Sequence, residues 1–147
     1  MQLSLHADYG LRVLVYLGAH PGRVVSTQEI SQAYGISKNH LVRVVQTLDR
    51  HGYVKVTAGR SGGVRLAKQP GEIRLGEVVR DAEPNLNLVE CFDTDTNLCP
   101  IIGVCGLQSK LKDALAAFLG ELNKYTLSDL MGGGQGSMLA ERFVQLR

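Results

Sequence analysis

Every cysteine of this chain falls in one stretch, ECFDTDTNLCPIIGVCG, at residues 90–106. Cys91, Cys99 and Cys105 are spaced C-x7-C-x5-C. Three thiols within one chain cannot all be paired in disulfides. Thiolate sulfur is a soft donor that selects zinc, copper(I) or iron–sulfur clusters over hard cations. Zinc sites commonly use a close C-x(2–4)-C pair whose turn sets two ligands on one ion, and no such pair is present. Gaps of seven and five residues suit a loop wrapped around something larger than an ion. A four-iron cluster needs a ligand at each of its four corners, so three cysteines leave one corner to a different donor. Such an open corner suits a sensor of small molecules. Zinc and plain reduced thiols remain the alternatives on spacing alone. For the missing ligand the local candidates are Glu90, Asp93 and Asp95, with His6 and Asp8 more distant.

The elements around this segment read from one end to the other. Residues 8–19 are nearly all apolar apart from Arg12 and predict a buried first helix, ended by His20-Pro21-Gly22. Ser26 and Glu29 have the S-x-x-E spacing of a capping box, and Gly35 is placed to end the short helix that follows. Ser37 caps the next start. Leu41, Val44, Val45 and Leu48 then repeat at i, i+3, i+4, i+7, which is one buried helical stripe, and Gly52 ends that helix. Two helices joined by Tyr34-Gly35-Ile36 read as helix-turn-helix. Beyond it Val54 and Val56, then Val64 and Leu66, alternate with polar residues on either side of a glycine-rich connection, as in a hairpin. The expected fold is therefore mainly α: a winged helix-turn-helix with a two-stranded wing. A further helix stops at Pro84, and the cysteine segment follows as a long loop, of the kind that is usually functional or disordered. Leu107, Leu111, Leu115, Phe118 and Leu122 line a last long helix whose apolar surface predicts dimerisation. The expected organisation is a DNA-binding domain at 1–83, the cysteine loop at 84–106, a dimerisation helix and following segment at 107–131, and a flexible tail at 132–147.

Charge points the same way. The whole chain carries only +2. Between residues 38 and 68, however, seven Lys or Arg face a single acid, Asp49, giving +6 there and leaving −4 for the remainder. A basic face of this kind is built to meet a polyanion. Ser37, Lys38, Asn39, His40 and Arg43 occupy the first turns of the second helix, where a recognition helix meets base edges in the major groove. Arg60 sits at the wing tip, placed for a minor groove. Ser26 and Thr27 open the preceding helix, where backbone amides favour a phosphate. No apolar run approaches the roughly 20 residues of a membrane span, and no secretory signal is expected, so the protein reads as cytosolic with reduced thiols. Enzyme chemistry finds no support: no nucleophile–base pair is evident, and GRSGGV lacks the Lys-Ser/Thr ending of a phosphate-binding loop.

Taken together, HADYGLRVLVYL, YGISKNHLVRVVQTL, GRSGGVRLAK, the three-cysteine loop and LNKYTLSDL resemble a family of bacterial iron–sulfur winged-helix regulators, from Met1 to about Met131. The resemblance is to its nitric-oxide-sensing repressors. It implies a homodimer on double-stranded DNA at a pseudo-palindromic operator, with nitric oxide as the signal and an iron–sulfur cluster, 4Fe–4S or else 2Fe–2S, on Cys91, Cys99 and Cys105. It also implies that Asp8, contributed by the other subunit, is the remaining ligand; as a residue of the first helix, Asp8 is alternatively that helix's cap. Relatives that sense cluster supply carry a histidine shortly after the third cysteine, whereas Gly106, Leu107 and Gln108 stand here. A cluster- or iron-supply sensor and a zinc-stabilised repressor are the competing readings. Replacing Arg60 by Ala is expected to weaken operator binding and lower its dependence on salt; titrations at several salt concentrations check this, and an unchanged slope and affinity would remove the wing assignment.

Overall fold

Helix α1, Leu5–Gly18, is the centre of the molecule because almost every face of it is apolar. Ala7, Gly10, Val13, Leu14, Tyr16 and Leu17 are all buried. The computed structural model describes residues 2–59 and 62–146. Ser4, not Asp8, caps α1: its hydroxyl accepts from the Ala7 amide at 3.1 Å. The helix begins three residues earlier than the apolar run suggests, since Leu5 and His6 are already in register once Ser4 supplies the cap.

Helix α2, Thr27–Tyr34, and helix α3, Lys38–Arg50, form the helix-turn-helix. Ser26 caps α2 through the Glu29 amide at 3.0 Å. The Glu29 carboxylate is engaged elsewhere, accepting from the Tyr16 hydroxyl at 2.9 Å and from Arg23 at 3.3 Å, which ties α2 to α1. Gly35 lies in the left-handed region at φ 64°, and the Ile36 amide donates back to the Ser31 carbonyl at 3.1 Å. A side chain at that backbone conformation would be strained, so the tight turn depends on glycine. Ser37 takes the capping position of α3 but makes no capping hydrogen bond with its side chain. Leu41, Val44, Val45 and Leu48 are the buried face of α3, as their spacing predicts.

Strands β1, Val54–Thr57, and β2, Gly63–Leu66, pair antiparallel with Val54 opposite Leu66 and Val56 opposite Val64. Val25 adds a bridge to Val64, with amide–carbonyl bonds of 2.8 and 2.9 Å. The wing is thereby fixed to the lead-in of α2. Arg60, the expected tip contact, lies outside the described residues.

Helix α4, Leu75–Ala82, buries Gly76, Val78, Val79 and Ala82. A loop then runs to helix α5, Leu107–Leu122. The two helices meet almost backbone to backbone: a Cβ built on Gly76 would stand 2.5 Å from the Leu119 carbonyl oxygen and from Asn123 Oδ1. After α5 the chain returns, and the Leu75 and Leu127 amides donate to the Tyr125 and Ile73 carbonyls. No helix among the described residues is long and apolar enough to cross a membrane.

The segment expected to be a flexible tail differs from that expectation. Gly133 and Gly134 turn the chain at positive φ, and helix α6, Gln135–Gln145, follows. Phe143 is only 5% exposed. Its ring centroid lies 4.7 Å from that of Tyr16 and 5.2 Å from that of Tyr34. Aromatic contacts of this kind add to area burial, and they anchor α6 where composition alone suggests a linker. Phe143→Ala should cost about 3 kcal/mol and loosen α6, whereas Val144→Ala, at a position 63% exposed, should be close to neutral; thermal unfolding and limited proteolysis of the two variants check this.

Candidate metal centre and nucleic-acid interface

The three cysteines come together. Cys91, Cys99 and Cys105 line a single cavity of about 210 Å³, walled mainly by Val89, Ile101, Ile102 and Leu107. All three are free thiols, half-buried. The cavity is several times the roughly 30 Å³ share of one water molecule. Among the described residues no three His, Cys, Asp or Glu side chains are grouped to hold a single metal ion. Three soft donors lining one apolar space are a donor set of the kind a thiolate-bound metal ion or cluster takes.

Hydrogen bonds both within the loop and back to α5 shape this segment. The Cys91 carbonyl accepts from the Gln108 side chain, which pins the first cysteine to the first turn of α5. The Cys99 amide donates to Asn97 Oδ1 at 3.1 Å, and the Cys105 amide to the Ile101 carbonyl at 3.1 Å. Two local candidates for a fourth ligand are already occupied. The Glu90 carboxylate accepts from the Leu98 amide at 2.5 Å. Asp93 accepts from the Thr96 hydroxyl at 2.9 Å and the Asp95 amide at 3.0 Å, and these bonds hold its carboxyl below the usual range. Asp95 is exposed, and its carboxylate accepts from the Thr94 hydroxyl at 3.4 Å.

The more distant candidates stay away from the cavity within one chain. His6 Nε2 pairs with the Thr47 hydroxyl of α3 at 3.0 Å. Asp8 is clasped by Arg12, with Oδ2 to Nη2 at 2.8 Å and Nε donating to Oδ1 at 3.1 Å. This bond to Asp8 raises the Arg12 pKa further. The spacing of Asp8 and Arg12, one helical turn, is a signal from which this pair could have been read in the sequence. The Gln108 contact carried no such signal, because it depends on how the loop folds back onto α5.

On the other side of the molecule, α3 exposes Ser37, Lys38, Asn39, His40 and Arg43, and Ser26 and Thr27 stand at the start of α2. His40 lies toward α1, its ring centroid 6.5 Å from that of Tyr9, and shares a cleft with Leu5, His6, Tyr9 and Arg43. Asn39 and Arg43 point away from the core, on the face opposite Leu41, Val44, Val45 and Leu48.

A family model described as Rrf2, iron-dependent transcriptional regulator, matches residues 3–133. The chain belongs to the Rrf2 family. This Rrf2 chain is 49% identical over 132 residues to the HTH-type transcriptional regulator NsrR of Bacillus subtilis (strain 168), covering 89% of this chain and 90% of that one. It is 46% identical to the NsrR of Shouchella clausii (strain KSM-K16), covering 89% of each. These relatives are transcriptional regulators, not enzymes. Among solved structures the Rrf2 fold recurs in T. potens IscR, with a TM-score of 0.70 at 24% identity over 95% of this chain and 96% of that one. It recurs also in CymR, the global cysteine regulator of B. subtilis, with a TM-score of 0.68 at 24% identity over 88% and 95%. The winged-helix reading and the family resemblance are thus both met.

The wing packs tightly against the lead-in of α2 at Gly63. A Cβ on Gly63 would stand 2.6 Å from the Val25 carbonyl oxygen. That neighbour is backbone and cannot yield easily. Gly63→Ala is expected to push the wing off the α2 lead-in, cost roughly 1–3 kcal/mol and weaken DNA binding in parallel; melting temperature and DNA affinity, measured together, check it.

Proposed function

We propose that the chain is a repressor that binds a pseudo-palindromic operator as a homodimer, with its grip on DNA set by an iron–sulfur cluster that responds to nitric oxide. Cys91, Cys99 and Cys105 would hold the cluster, of the 4Fe–4S type, with Asp8 from the second subunit as the remaining ligand. The observation that carries this reading is the gathering of all three thiols around one apolar cavity at the start of α5. The similarity to the NsrR proteins supports the same branch of the family. When bound, such a cluster supplies iron that nitric oxide attacks.

The residues of the chain do the rest. The thiolates tie together three points of a loop that otherwise has few fixed contacts. Leu98 is 88% exposed and Val104 86%, and along α5 Leu107 is exposed while Leu111, Leu115, Phe118 and Leu122 are only half-buried. A second copy of the chain would cover these apolar residues. Within one chain Asp8 is held by Arg12, but an i, i+4 pair of this kind contributes only about 0.3–0.5 kcal/mol. Giving it up to serve a neighbouring subunit is therefore a small cost. Two α3 helices on a two-fold dimer must stand about 34 Å apart to enter successive major grooves. Loss of the ties through the loop would relax that spacing, and a differential affinity of about 5.5 kcal/mol moves an operator from 99% bound to 99% free.

Anaerobic purification decides the matter. The expected result is coloured protein with iron and acid-labile sulfide in equal amounts, operator binding in the same preparation, and loss of both colour and binding on nitric-oxide titration. Colourless, iron-poor protein that binds its operator and ignores the gas would overturn the proposal. Stoichiometric zinc would favour a zinc-stabilised repressor. A coloured protein whose binding follows cluster content but not nitric oxide would favour a sensor of iron or cluster supply.

A further inference from the structure

The buried residues of α3 define its inner face, and the geometry of a helix then fixes the outer one. At 100° per residue, Asn39, Arg43, Gln46 and Arg50 fall in a line nearly parallel to the axis, directly opposite Leu41, Val44, Val45 and Leu48. Among the described residues the side chains of Asn39, Arg43 and Gln46 have no hydrogen-bond or ionic partner. Gln46 lies three residues beyond Arg43 on this line, on the same exposed face of the helix. It carries no charge to draw it to a phosphate. Val42 is its neighbour one turn back and is 37% exposed, an apolar side chain on an otherwise polar outer face.

We propose that Gln46, with Val42 beside it, reads A·T base pairs in the operator half-site. Each pair presents a distinct edge in the major groove. A carboxamide matches adenine, accepting from N6 and donating to N7. A valine can make no hydrogen bond, and the apolar feature of the major groove is the thymine methyl group. Residues i and i+4 on a helix have Cβ atoms about 5–6 Å apart, so the two side chains reach the same or an adjacent base pair. Both chemistries therefore converge on one A·T step, next to whatever Arg43 contacts. This inference rests on α3 being the recognition helix, and it adds which bases that helix selects.

The test uses the full-length protein, purified anaerobically, and a half-site selected from randomised DNA by the wild type. Each adenine of that site is then replaced by 7-deazaadenine, which lacks the N7 acceptor, and each thymine by uracil, which lacks the methyl group. For the wild type, one 7-deazaadenine position should weaken binding roughly 10-fold or more, and one uracil position about 4-fold. Gln46→Ala should be indifferent to the first substitution and Val42→Ala to the second, with melting temperatures unchanged because both residues are exposed. If either variant keeps the full wild-type sensitivity at every position, or the wild type has none, the inference is overturned. A wild type that selects no sequence would instead overturn the recognition-helix reading beneath it.

Discussion

The burial of α1 is the constraint on which the other features depend. Its residues pack against α3, α4, the wing and α6, and Tyr16 alone touches α2, α6 and its own helix end. Moving α1 would therefore disturb the recognition helix, the root of the cysteine loop and the C-terminal helix together. Protein interiors are packed as densely as organic crystals and transmit strain instead of absorbing it. The same helix carries Asp8 on its outer surface and His6 against α3. A perturbation delivered to its N-terminal turns has a short mechanical route to the DNA-reading face.

The cysteine loop has the opposite character. It buries no residue fully, and most of its hydrogen bonds join near neighbours in the chain. Its two most useful carboxylates, Glu90 and Asp93, are turned inward onto loop amides and a threonine hydroxyl. Segments of this kind lie at the low-stability end of a fold and respond most readily to a ligand. In the proposed switch, a rigid scaffold and a weakly held loop divide the labour between reading DNA and sensing.

Much of this was legible in the residue pattern. The buried stripe of α3 followed directly from the spacing of Leu41, Val44, Val45 and Leu48, because helical periodicity is local. Gly35 and Gly52 marked two helix ends because a positive φ is a local demand. The number and spacing of the cysteines put all three in one loop, and that loop draws them around one cavity. Contacts that join distant parts of the chain were not legible. Nothing around Phe143 in the sequence points to Tyr16, so the glycines before it suggested a free tail. The cap of α1 fell to Ser4, whose role is visible only once the helix start is known. His40 was grouped with the base readers by position, yet its direction around the helix sets it beside Tyr9.

The absence of a side chain at Gly76 has a wider mechanical meaning. There the backbone of α4 lies against the Leu119 carbonyl of α5 and the Asn123 side chain just beyond it, with no room for a side chain at position 76. The close approach couples the two helices tightly. A torque applied to α5 would reach α4 through this close backbone contact, as motion through a lever more than compression through a cushion.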